Sequence, residues 1–213
     1  MNRSKLGVVT GLRAEAAWIR QAGFMVEAGG GTPAGAKLTA QRLVSQGAEA
    51  LLSFGLAGGL QPGLRPGTIL VPPVIITAMG NYECAPQLIS LLGGETSGYL
   101  LAGANIAASV EEKSALYQRY GAAAIDLESG AVAEIATQHA LPFAVLRATA
   151  DPAERALPPA ALVALKDDGS LDIARLLGSI LRQPGQIPAL MKVGQDAKAA
   201  RRSLLERLKA MEA

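Results

Sequence analysis

The chain is predicted to be an α/β protein built on a mixed, mostly parallel twisted sheet, and three observations carry that prediction. Short apolar, β-rich runs alternate with Ala-rich stretches of helical spacing, the pattern of parallel strands joined by crossover helices. No low-complexity linker interrupts the alternation, and 213 residues that are 50% hydrophobic suffice for one compact core, so a single domain over residues 1–213 is expected. The clearest unit is the apolar run Ala122 to Leu127, followed by a helical stretch to Leu141 and a second apolar run ending near Asp151.

In chain order, the first expected strand is Leu6 to Thr10, stopped at Gly11, and Ala14 to Ala22 follows as a helix. Phe24 to Glu27 is a strand closed by Gly29-Gly30-Gly31, Pro33 to Gln46 a helix, and Ala50 to Phe54 a strand closed by a glycine turn from Gly55 to Gly59. Thr68 to Val71 and Val74 to Thr77 are short strands separated by Pro72-Pro73, and Tyr99 to Ala102 is another. Glu111 to Tyr120 is a helix, Ala122 to Leu127 a strand, Ser129 to His139 a helix and Phe143 to Ala148 a strand. Three further helices are expected, over Pro159 to Lys166, Leu171 to Arg182 and Ile187 to Met211.

Composition excludes several functions. Cys84 is the one cysteine, so no internal disulfide can form, and a reducing cytoplasm suits it. His139 is the one histidine and falls in the last turn of a helix, where a partly cationic imidazole suits the dipole; no metal site and no Ser–His or Cys–His pair is expected. The segment Leu6 to Val9 is too short for a signal peptide, and the stretch from Thr68 to Met79 is too short for a bilayer and broken by prolines. A formal net charge of +2 and 4% aromatic residues provide neither the field nor the stacking strip of a nucleic-acid binder.

Three glycine-bearing turns follow successive strands, and their joint placement favours backbone N–H groups presented to an anion or a sugar. Gly29, Gly31 and Ala34 also satisfy the dinucleotide fingerprint G-x-G-x-x-A. No acid ends the following strand and Pro33 crowds the turn, so a nicotinamide or flavin cofactor is not expected. Parallel strands bind ligands at their carboxyl ends, where Glu128 and Asp151 project, so two acids are expected to face one pocket.

Leu6 to Gly11 with Glu15, Gly55 to Gly59, Asp126-Leu127-Glu128-Ser129 with Ala131-Val132-Ala133, and Pro142 to Ala148 with Asp151 occur in an order that resembles the nucleoside phosphorylase and methylthioadenosine/S-adenosylhomocysteine nucleosidase superfamily. Within it, Ser53 to Leu60 and Asp151 to Leu162 are most similar to the hopanoid-associated phosphorylases. The resemblance implies a three-layer fold with helices flanking the sheet, a cytoplasmic homo-oligomer with a dimer favoured, and no cofactor. It implies cleavage of the N-ribosidic bond of an adenine nucleoside, adenosylhopane above others, with inorganic phosphate a co-substrate where phosphate is the nucleophile.

Breaking such a bond builds positive charge on the ribose and negative charge on the departing purine. Asp151, its pKa raised by an apolar pocket, is expected to donate to purine N7. Ionised Glu128 is expected to accept from the ribose hydroxyls and stabilise the oxocarbenium-like sugar. The resemblance aligns Glu15 with a carboxylate that activates water, while Arg13, with Gly11 and Gly31, is a candidate phosphate ligand; water and phosphate both stay open. Leu127, Ser129, Ala57, Gly58, Asn105 and Ile106 are expected to contact substrate. Leu56 stands where relatives often carry serine, Ile106 offers the base an aliphatic wall instead of a stacking ring, and Ala150 leaves Asp151 in need of another orienting partner.

A lipid-sized 5′ substituent needs an apolar trough, for which Ile69 to Ile76 and the last helix qualify. On that helix Ala197, Ala200, Leu204, Leu208 and Met211 form one stripe beside Lys198, Arg201, Arg202, Arg207 and Lys209. Peripheral contact with the inner membrane surface is one reading of the stripe; a cover for the core or a subunit interface is the other. A soluble methylthioadenosine or adenosylhomocysteine nucleosidase is the alternative enzyme, and a nucleoside-binding protein without turnover is the alternative outside catalysis.

Overall fold

The computed structural model describes residues 3–96, 98–163 and 172–210. Lys166, Leu171 and Met211, outer bounds of three predicted helices, lie outside the described residues. Strand β1 (Leu6–Thr10) runs between β2 (Met25–Ala28) and β3 (Ala50–Gly59), parallel to both. β3 also runs parallel to β9 (Phe143–Asp151), in a register from Leu51 opposite Phe143 to Gly58 opposite Asp151. β4 (Ile69–Leu70) adds antiparallel to β9. Gly58 and Gly59 pair antiparallel with β8 (Ala122–Asp126), and the sheet continues through parallel β7 (Tyr99–Ala102) and β5 (Val74–Thr77) to antiparallel β6 (Gly80–Glu83). The sheet is therefore mixed and mostly parallel. β1, β8 and most of β9 are buried residue after residue, which is why their sequences read as continuous apolar runs instead of alternating ones.

The glycine turn predicted over residues 55–59 is instead the second half of β3. β9 supplies ladder partners as far as Gly58, and Gly55, at φ +150°, adopts a backbone that side-chain-bearing residues avoid. β9 likewise runs past the predicted Ala148, so Asp151 sits on a strand.

Helices flank the sheet. α1 (Arg13–Gln21) packs on β1 and β2; α2 (Pro33–Ser45) packs on the same two strands and on α5 (Ser129–Gln138), which reaches β3, β5 and β9. Thr32 caps α2 by accepting from the Gly35 N–H at 3.1 Å, with Pro33 at the first helical position, where its missing donor is no loss. α3 (Pro86–Leu91) and β6 have no counterpart among the predicted elements. α4 (Val110–Tyr120) lies against β8, starts on a Ser109 cap and ends at left-handed Gly121. α6 (Pro159–Val163) and α7 (Ile173–Arg182) contact each other, and α8 (Ile187–Ala210) crosses β9, β3 and β4.

One core cluster extends from Leu6 to Leu208. It takes in Ala200, Leu204 and Leu208, so these three residues of the α8 stripe pack into the core and do not face lipid. No helix among the described residues is long and apolar enough to cross a membrane.

Candidate active site

Arg147 is a lone cation in the apolar run of β9, and at 1% exposure it cannot stay charged without partners. Three carboxyl groups surround it. Its Nη2 donates to Glu128 Oε2 at 2.8 Å and to Ser53 Oγ at 2.8 Å, and its Nη1 to the Leu56 carbonyl at 3.3 Å. Its Nε lies 2.7 Å from Asp126 Oδ2, an ion pair whose alignment falls short of a hydrogen bond. Glu15 is the third acid. Burial works to neutralise Arg147, but Asp126, Glu128 and Glu15 outweigh it and push its pKa up.

The acids are delivered by chain geometry. Asp126 ends β8, and Glu128 is the cap residue of α5. Ser129, expected to contact substrate, is fully buried beneath the site: its hydroxyl bonds Asp126 and Ser53, and its N–H donates to Asp126 Oδ1 at 3.1 Å. It braces Asp126 and does not line the cavity, because the first turn of α5 directs it inward.

Glu15 lies in the first turn of α1 and is 2% exposed, not a surface residue of the helix start. Its Oε2 accepts from the Leu12 N–H at 2.9 Å and its Oε1 from the Leu56 N–H at 3.0 Å. Burial pushes its pKa up to about 7, against the pull of Arg147 and the two N–H donors. Burial likewise raises Glu128, with Arg147 opposing. Two glycines make this packing feasible. A Cβ on Gly11 would lie 2.6 Å from Glu128 Oε1, and one on Gly55 2.7 Å from both Glu15 Oε1 and Arg147 Nη1.

Asp151, at the end of β9, meets a residue that sequence reasoning missed. Lys113 is the buried residue of α4, 0% exposed, and its Nζ donates to Asp151 Oδ2 at 2.5 Å, to the Pro152 carbonyl at 3.0 Å and to the Arg155 carbonyl at 2.7 Å. Burial raises the Asp151 pKa and Lys113 opposes it.

Glu15, Glu128 and Asp151 all line one cavity of about 300 Å³, within the range of small-molecule sites. Gly11, Gly31, Gly58, Ala57, Leu127, Asn105 and Ile106 line it too, and Leu56, Ile125, Leu157, Leu162 and Val193 make the wall aliphatic. The described lining contains no aromatic side chain. Arg13 is exposed in the first turn of α1 and is not a lining residue, so the predicted phosphate ligand is not brought to the acids. Ala197 of the predicted lipid stripe lines the cavity instead. Among the described residues no group of three or more His, Cys, Asp or Glu side chains could hold a metal ion.

A family model described as the phosphorylase superfamily matches residues 10–88 and 95–182. The chain is similar in structure to the 5′-methylthioadenosine/S-adenosylhomocysteine nucleosidase of Helicobacter pylori, with 16% identity, a TM-score of 0.73, and 100% of this chain and 99% of that one covered. The futalosine hydrolase of Helicobacter pylori matches at 17% identity and TM-score 0.73 over 99% and 97% of the two chains. The S-adenosylhomocysteine nucleosidase of Streptococcus pyogenes matches at 16% identity and TM-score 0.68 over 99% and 98%. At these identities the likeness is one of fold.

Proposed function

The chain is an enzyme of the phosphorylase superfamily, and from that premise we propose that it cleaves the N-ribosidic bond of an adenine nucleoside with water as the nucleophile. The observation that carries this reading is the opening of Glu15, Glu128 and Asp151, from three separate elements, onto one aliphatic cavity. Nucleosidases of the same fold support it. Glu128, anchored by Arg147, accepts from the ribose hydroxyls and faces the positive charge that develops on the sugar. Asp151 gives its proton to N7 as the C1′–N9 pair moves into the purine. Glu15, poised near 7, takes a proton from the water whose oxygen bonds C1′.

Water is favoured over phosphate by electrostatics. Three acids around one guanidinium repel an incoming dianion, Arg13 stands outside the cavity, and Leu56 offers no hydroxyl. The residues Leu157 and Leu162 suit an apolar 5′ substituent. Leu162 also lines a groove between α6 and α7 with Arg175 and Arg182, and a separate stripe of α7, Ile173, Leu177 and Leu181, is exposed. Adenosylhopane, favoured by the sequence resemblance, is the lipid extreme of such substrates. In that case this face of α7, and not α8, meets the inner membrane surface. A single-domain cytoplasmic homodimer completes the proposal.

The test is adenine release from methylthioadenosine and from adenosylhopane, each with and without phosphate, with Asp151→Asn as the control. Release without phosphate that the variant loses is the expected result. A phosphate requirement overturns the choice of water, and binding without release from either nucleoside overturns the choice of substrate.

A further inference from the structure

Lys113 is a fully buried charged group that the chemistry above leaves unused. We propose that it is the positioning residue of the purine-side acid, fixing which oxygen of Asp151 carries the proton and holding the charge left behind when that proton departs. This rests on the reading of Asp151 as the donor to N7.

An ammonium has three protons, and here each has a distinct acceptor: Asp151 Oδ2 and the carbonyls of Pro152 and Arg155. The two carbonyls lie just past Asp151, so the lysine is fixed by the same chain segment that it orients. With Oδ2 committed to Lys113, the proton of a neutral Asp151 belongs on Oδ1, the oxygen left for the cavity. As N7 takes that proton, Asp151 becomes a carboxylate 2.5 Å from a cation that was already in place and needs no reorganisation. Lys113 keeps all its protons; the proton that restores Asp151 comes from solvent after adenine leaves. The lysine also answers the absence of a polar residue at Ala150, whose methyl group cannot orient the acid.

Burial matters to the argument. A solvated lysine at this distance is screened, whereas Lys113 is 0% exposed and Asp151 is 12% exposed, so the pair interacts across little water. The signal in the sequence was hidden, since Glu111-Glu112-Lys113 reads as a solvated helix face.

The test compares wild type with Lys113→Met and with Lys113→Gln, which keeps a donor but no charge. One readout is the pH titration of the Asp151 carboxyl carbon by NMR, assigned with Asp151→Asn. The other is the pH profile of adenine release. Removing an opposite charge at this range is expected to raise the Asp151 midpoint by about one to three pH units in both variants. The limb of the kcat/KM profile that follows the Asp151 midpoint moves up with it, kcat falls about 10²-fold, and KM changes little. An unmoved midpoint in the folded variants overturns the proposal, as does a fall in kcat with neither limb of the pH profile displaced. Should the wild type release no adenine, the nucleosidase reading fails, and the NMR midpoint still decides whether Lys113 governs Asp151.

Discussion

Replacing Glu15 with glutamine is expected to stabilise the protein at alkaline pH while removing turnover. Folding raises the Glu15 pKa from 4.5 to about 7. Below pH 4.5 the folded and unfolded chains both hold the proton, and this group then leaves stability untouched. Between 4.5 and about 7 the unfolded chain releases the proton while the folded chain retains it, so stability falls as pH rises; above 7 the loss is complete. A rise of about 2.5 pH units at ~1.4 kcal/mol each amounts to about 3 kcal/mol. Glutamine escapes that loss but keeps only one acceptor for the two N–H donors of Leu12 and Leu56, a penalty of ~1 kcal/mol that does not depend on pH. The net gain at pH 8 is about 2 kcal/mol. Urea unfolding of both proteins between pH 5 and pH 8 measures it, because other titrating groups cancel in the difference. Parallel stability curves for the two proteins across that range would refute the assignment of Glu15 as a buried acid titrating near neutrality.

Gly11→Ala puts a methyl group against Glu128 Oε1, and displacing that carboxylate by about 1 Å is expected to lower kcat/KM about 10²-fold. An unchanged melting temperature alongside that loss would separate it from misfolding. Arg147→Met strands three buried acids and is expected to destabilise by about 3–5 kcal/mol, seen as a lower urea midpoint that recovers partly as pH falls. Glu128→Gln keeps the shape of the site and is expected to lower kcat by at least ~10²-fold in the adenine-release assay; near-wild-type turnover would remove Glu128 from the chemistry.

The strands and helices that carry strong local patterns were legible. β1, β5 and β7 fall on their predicted bounds, and α2 and α4 lie within a residue of theirs. β6 was not, because Gly-Asn-Tyr-Glu is polar and its place is set by a hairpin with β5. The second half of β3 was not, because the partner that makes it a strand lies about 90 residues away on β9. At the site, strand-end logic and family resemblance named the three acids. The cations that hold two of them were missed for different reasons. Arg147 carried a usable signal, a single charge inside an apolar strand, whereas Lys113 looked like any exposed helix lysine.

The cavity wall draws on residues from Gly11 to Ala197, with α8 supplying Val193 and Ala197 while its Leu204 and Leu208 are sealed into the core. A chain emerging from a ribosome therefore has an incomplete binding site until α8 has docked, however complete the sheet. Ligand binding and the docking of α8 are one equilibrium, and amide exchange along α8 should slow when the cavity fills.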